Sequence, residues 1–125
     1  MIYTVTFNPA LDYVMKVEKL RFDDINRTYG EELSYGGKGI NVSIVLKNLG
    51  IESTALGFMA GFTGKEIARR LEEDGVTSDF IQIEEGISRI NLKLKSIDGT
   101  EINGSGPEIP KDKVEELMDL SLIHI

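Results

Sequence analysis

Apolar and polar positions along this chain switch between the two-residue period of strands and the 3.6-residue period of helices, and the switches divide it into elements. Residues 2–7 are dense in β-branched and aromatic side chains and end at Asn8-Pro9, which predicts a buried strand followed by a turn. Residues 13–19 and 27–35 interleave apolar and polar side chains around Asp23-Asp24, predicting two strands of a partly solvated sheet. Behind the glycine cluster 36–39, Ile40, Val42, Ile44, Val45, Leu46 and Leu49 lie at helical spacing and stop at Gly50. A strand over 53–59 follows. Thr63 and Glu66 have the spacing of a capping box, so a helix is expected from there through Leu71, ending at Gly75. A short strand over 79–83 comes next. Over 89–95, Ile90, Leu92 and Leu94 alternate with Asn91, Lys93 and Lys95, the mark of a sheet with one wet face. Asp98-Gly99 predicts a hairpin turn into a strand over 100–103, and Gly106-Pro107 and Pro110 precede a helix from about Lys111.

Strand, helix, strand, helix is the α/β pattern, and 125 residues suit a single domain. No repeat or low-complexity segment interrupts it. The last six residues, from Leu120 to Ile125, put an apolar run at the end of a charged amphipathic helix and match the translation of a common sequencing-library adapter. The expectation is a gene cut at about Asp119, with 1–119 the native portion and 120–125 a non-native tail.

A net charge of −7 argues against general affinity for nucleic acid or an anionic membrane, so an anionic ligand must be held by a few local cations. The absence of cysteine excludes a disulfide framework, a cysteine zinc site and a thiol nucleophile. No stretch approaches the roughly 20 apolar residues of a membrane span. The N-terminal run is strand-like and lacks the build of a signal peptide, so a cytoplasmic protein is expected and the sequons at Asn26, Asn41 and Asn103 are read as chance.

Three segments carry candidate chemistry, each with a plainer alternative. Gly36, Gly37, Lys38 and Gly39, with Asn41, open a helix. Glycines there let backbone approach a ligand and a helix N-terminus offers N–H groups to oxygen, or else the cluster is only a tight turn with a solvated lysine. Asp12 follows the first strand, where open α/β sheets bind ligands, and could accept hydrogen bonds from two hydroxyls or simply cap a turn. Arg89 and Asn91 share one face of their strand, with Arg89 suited to a bidentate phosphate contact, or they belong to a solvated face with Lys93 and Lys95. Two other signals are rejected. Gly61 to Glu66 resembles the end of a phosphate-binding loop, but Met59 stands where that loop needs glycine and Glu66 where it needs serine or threonine. His124, the only histidine, has no partner constellation.

Taken together, Thr6 to Asp12, Gly36 to Leu49, Ser88 to Lys93 and Thr100 to Pro107, in this order and spacing, resemble the phosphofructokinase-B branch of the ribokinase-like carbohydrate kinases, and within it the 1-phosphofructokinases and tagatose-6-phosphate kinases. The resemblance runs from Met1 to about Asp119. It implies the N-terminal part of a doubly wound, Rossmann-like sheet with a small β-sheet lid, built from strands near 13–35 and 88–104. It also implies phosphoryl transfer from ATP, with Mg2+, to a hydroxyl of a ketohexose phosphate, fructose 1-phosphate ranking ahead of tagatose 6-phosphate and fructose 6-phosphate. Asp12 would hold sugar hydroxyls, Gly36, Gly37, Lys38, Gly39 and Asn41 would line the sugar phosphate, and Arg89 would grip its phosphate. Asn91 would support Arg89, and Asn103 is a further candidate. A homodimer through the lid sheet is the expected assembly. The family's general base sits in a Gly-Ala-Gly-Asp segment of the C-terminal half, together with the ATP site. This chain has no such segment, so it is expected to be inactive by itself. A rival reading is a sugar-phosphate sensor that has lost its base; a kinase of a neutral sugar is disfavoured by Arg89 and Asn91.

Overall fold

A computed structural model describes residues 1–96 and 99–124, with residues 121–124 described by their backbone alone. In chain order the elements are β1 (Tyr3–Thr6), β2 (Ala10–Lys16), β3 (Gly30–Gly36), α1 (Lys38–Asn48), β4 (Thr54–Ala60), α2 (Gly61–Glu73), β5 (Thr77–Ile83), β6 (Arg89–Lys95), β7 (Thr100–Asn103) and α3 (Lys111–His124). The predicted turn at Asp98 and the final Ile125 lie outside the described residues.

Two sheets result. In the first, β1, β4 and β5 run parallel in that order. Its central strand β4 is buried almost throughout, as a parallel strand covered on both faces must be. Alternate residues serve opposite faces: Ala55 packs with Ile40, Ile67, Leu71 and Val76 beneath α1 and α2, and Leu56, Phe58 and Ala60 pack with Ile81, Ile83 and Leu117 beneath α3. Helices on both faces of a parallel sheet make this the expected α/β architecture.

The second sheet has the order β3-β2-β6-β7, with β2 parallel to β6 and the two outer pairs antiparallel. It is fastened to the first at two places. The Ser88 hydroxyl accepts from the Ala60 N–H (3.0 Å) and the Ser88 carbonyl accepts from the Thr63 hydroxyl (2.7 Å), tying the start of β6 to the end of β4. On the other side, the Tyr35 hydroxyl donates to Asp74 (2.5 Å) and Arg70 donates to the Leu33 carbonyl (3.1 Å), tying β3 to the end of α2. Burial and the neighbouring carboxylate of Asp74 push the Tyr35 hydroxyl well above the usual tyrosine range, so it stays a donor.

Four sequence expectations are corrected. β2 begins at Ala10, so Asp12 lies within a strand and not in the turn after one, because Ala10 already pairs with both Gly36 and Arg89. The capping box does not form. α2 opens at Gly61, two residues earlier, and Thr63 is wholly buried with its hydroxyl on the Ser88 carbonyl, while Glu66 pairs with Arg69 and Arg70. The apolar stripe of α1 splits: Ile40 is buried, whereas Val42, Val45 and Leu49 are exposed. On β6 the polar face is less open than the alternation suggests, since Asn91 is buried while Ile90 on the apolar face is 42% exposed. The polar face turns toward the glycine loop, and on the apolar face Leu33, Ile90 and Ile102 are exposed.

The final helix runs continuously to His124, and Leu120, the first residue of the expected tail, packs beside the Leu117 cluster. No described helix is long and apolar enough to cross a membrane.

Candidate functional site

The register of the second sheet decides which side chains share a face. Asp12 pairs with Asn91 on one side and Ser34 on the other, and Asn91 pairs with Asn103. Paired residues point to the same side, so Asp12, Asn91 and Asn103 form one row across three strands. Arg89 lies in the row nearer the glycine loop and Lys93 and Glu101 in the row beyond.

Where this face meets the loop between β3 and α1 there is a cavity of about 350 Å³. Eight of the nine residues selected from sequence line it: Asp12, Gly36, Gly37, Lys38, Asn41, Arg89, Asn91 and Asn103. Gly39 stands apart, in the first turn of α1 against β1. A Cβ there would fall 2.6 Å from the Val5 carbonyl and the Thr6 hydroxyl, so this glycine serves helix-to-strand packing. Gly37 has a φ of +148°, which other residues rarely adopt, and starts the helix; the Thr6 hydroxyl then accepts the Ile40 N–H at 3.0 Å, meeting one of the helix's unpaired donors. Gly36 has a different use. A Cβ at this position would lie 3.1 Å from Oδ2 of Asp12, so glycine keeps the space beside that carboxylate oxygen open.

Buried Asn91 fixes the geometry. Its amide nitrogen donates to Oδ1 of Asp12 at 3.1 Å and its amide oxygen accepts from the Gly104 N–H at 3.1 Å, so both ends of the amide are used and its orientation is set. One oxygen of Asp12 is thereby engaged and the other faces the cavity. Arg89 is anchored through Nε to the Asn8 carbonyl at 3.0 Å, and Asn8 is held in turn by donating to the Ser105 carbonyl at 3.0 Å. An arginine fastened at Nε presents its two terminal nitrogens as a fork.

Sequence reasoning missed four lining residues: Ala10, Tyr35, Lys93 and Glu101. Lys93 had a signal, since it continues the Arg89, Asn91 alternation on the same strand face. Glu101, its cross-strand partner, needed the register. The rim therefore combines three cations, Lys38, Arg89 and Lys93, with two carboxylates, Asp12 and Glu101, in a chain whose net charge is −7. It can grip an anion and accept hydrogen bonds from hydroxyls in one place. A larger hollow, about 670 Å³, is lined by Glu84, Glu85, Glu108 and Asp112 against one cation, Lys113, and its excess of negative charge disfavours an anion. Among the described residues no group of three acidic, histidine or cysteine side chains could hold a metal ion.

Comparison with known proteins identifies relatives of the chain. A family model, the pfkB family carbohydrate kinases, matches residues 5–122. A 1-phosphofructokinase of Bacillus subtilis is 44% identical over 119 residues, 95% of this chain and 39% of that protein. A D-tagatose-1-phosphate kinase of Bacillus licheniformis is 42% identical, with the same shares covered. A Staphylococcus aureus crystal structure whose phosphofructokinase assignment is provisional superposes with a TM-score of 0.88 at 49% identity, over 96% of this chain and 39% of that one. The chain thus spans about two fifths of the length of these relatives.

Proposed function

The chain belongs to the pfkB family of carbohydrate kinases, and from that premise we propose that it is the N-terminal, sugar-phosphate-recognising portion of an ATP-dependent ketohexose-phosphate kinase. The observation that carries this reading is that one cavity is lined by both an anchored arginine and a carboxylate with one oxygen engaged, beside a glycine-lined helix start. Arg89 takes the phosphate the sugar already carries. Asp12 accepts hydrogen bonds from two hydroxyls, and Asn91 positions it. Gly36 and Gly37 let the sugar approach the backbone, while Lys38, Asn41 and Asn103 close the rim.

The preferred substrate is fructose 1-phosphate. Both named relatives specify a ketohexose phosphorylated at carbon 1, which ranks tagatose 1-phosphate second and leaves tagatose 6-phosphate and fructose 6-phosphate behind. ATP and a divalent metal, Mg2+, are what membership of this kinase family implies for the complete enzyme. The proposal assigns both, and the general base, to the remainder of a longer protein, with residues 1–119 its native part here.

The outer face of the β3-β2-β6-β7 sheet supports the proposed homodimer. Leu33, Ile90 and Ile102 are 41%, 42% and 57% exposed there, an apolar surface suited to a second copy of the same sheet.

Two steps test the function. Recovering the rest of the reading frame shows whether a Gly-Ala-Gly-Asp segment follows; its absence would favour a sensor over a kinase. Comparing kcat/KM of the full-length protein for the four ketohexose phosphates then ranks them, and a preference for a 6-phosphate would overturn the substrate assignment.

A further inference from the structure

Lys93 sits between two carboxylates and is hydrogen-bonded to neither. Its Nζ lies 3.7 Å from Oδ2 of Asp12 and 3.9 Å from Oε1 of Glu101, both beyond hydrogen-bond reach. The first of these is the Asp12 oxygen that Asn91 leaves untouched and that the missing side chain of Gly36 leaves accessible. An ammonium held near a carboxylate without a direct bond keeps its N–H groups available for an oxygen placed between them.

The site also has an electrostatic conflict that Lys93 resolves. Asp12 is only 14% exposed, so its charge is poorly screened, and a sugar phosphate brings about two more negative charges into the same small cavity. Arg89 is committed through Nε to the Asn8 side of the site, in the row farthest from Lys93. Lys38 belongs to the glycine loop on the Arg89 side, and Lys93 is the cation within 4 Å of the Asp12 carboxylate, so without it Asp12 would more strongly repel the anionic substrate whose hydroxyls it must hold.

We propose that Lys93 is a specificity-determining residue of the sugar-phosphate site, the counter-ion that lets Asp12 accept a phosphorylated sugar, with Glu101 keeping the ammonium within reach. This rests on the cavity being the sugar-phosphate site.

The test uses the full-length protein with fructose 1-phosphate, at low and at high salt. Lys93→Met should raise KM about tenfold at low salt and leave kcat within about twofold, and the difference should shrink as salt screens the unbalanced carboxylate. Lys93→Arg should restore most of the loss because it keeps the charge, and Lys93→Gln should behave like Lys93→Met, covering a folding failure of either. Arg89→Ala separates the two ideas. If it raises KM while Lys93→Met does not, the site stands and the role of Lys93 is overturned. If neither changes KM, the site assignment itself fails. A Lys93→Met effect equal at both salts, or one that arginine does not rescue, would mark packing rather than charge and would also overturn the inference.

Discussion

The sheet of β1, β4 and β5 is covered by helices on both faces of its central strand, whereas the sheet of β3, β2, β6 and β7 carries the candidate site on one face and leaves apolar side chains open on the other. Both alternate residues in the same way, so the difference lies in what each face meets. In the first sheet Leu56, Phe58 and Ala60 on one side and Ala55 on the other are all buried, and substitution there is a matter of volume. In the second, buried Asn91 connects Asp12 to the Gly104 backbone, and Ile102 on the other face is exposed. The two buried clusters lie against the first sheet and the candidate recognition site lies on the second.

The largest expected effect therefore falls in the first sheet. Phe58 is 1% exposed and meets Phe7 edge to face at 5.2 Å. Phe58→Ala in the full-length protein should cost about 3–5 kcal/mol in denaturant unfolding. A loss below about 1 kcal/mol would show that the two sheets are not so unequal.

Next comes Arg89→Ala, which should leave stability nearly unchanged and raise KM for the sugar phosphate, since a charge-assisted contact contributes about 1.5–3 kcal/mol. Arg89→Lys should recover only part of this, because lysine keeps the charge and loses the fork. Unchanged kinetics would remove Arg89 from the site.

Much of this division was legible in the sequence. Six predicted strands and both well-patterned helices fall where period and turn residues placed them, and the bounds of β6 match the prediction to the residue. The misses have physical causes. The Thr63–Glu66 spacing is that of a capping box, but a tertiary partner, the Ser88 carbonyl, took the threonine hydroxyl. The start of β2 was hidden because the residues pairing with Ala10, Gly36 and Arg89, are far away in sequence. Periodicity showed that Arg89 and Asn91 share a face without showing which face would be covered. That depends on the register between strands, which also brought Glu101 to the rim.

The outer face of the second sheet supplies a smaller effect. If two copies meet there, Ile102→Lys should weaken dimerisation roughly tenfold, about 1.4 kcal/mol, by placing a charge among Leu33, Ile90 and Leu92. Sedimentation of the full-length protein across a concentration series reads the shift. A dimer of unchanged strength would place the interface elsewhere, and KM for the sugar phosphate should not change, since Ile102 lies on the face away from the site.

The smallest effect belongs to the surface of α2. Glu66 accepts from Arg69 at 2.6 and 2.9 Å and from Arg70 at 2.8 Å, and these bonds, Arg69 first, hold its carboxyl down at about 2, below the usual 4.5. A carboxyl with a depressed folded-state value contributes stability that is fully present above its unfolded value near 4.5 and is lost as pH falls through about 2. The folded state should thus lose this contribution only between those limits, and nothing should change between pH 5 and 8. Because the network is largely solvent-exposed, its net contribution is small and should shrink further with salt. A carbon-detected NMR titration of the Glu66 carboxyl provides the check. A midpoint near 2 that rises in Arg69→Ala supports the network, and an ordinary midpoint near 4.5 in the unaltered protein would show that the arginines do not hold it.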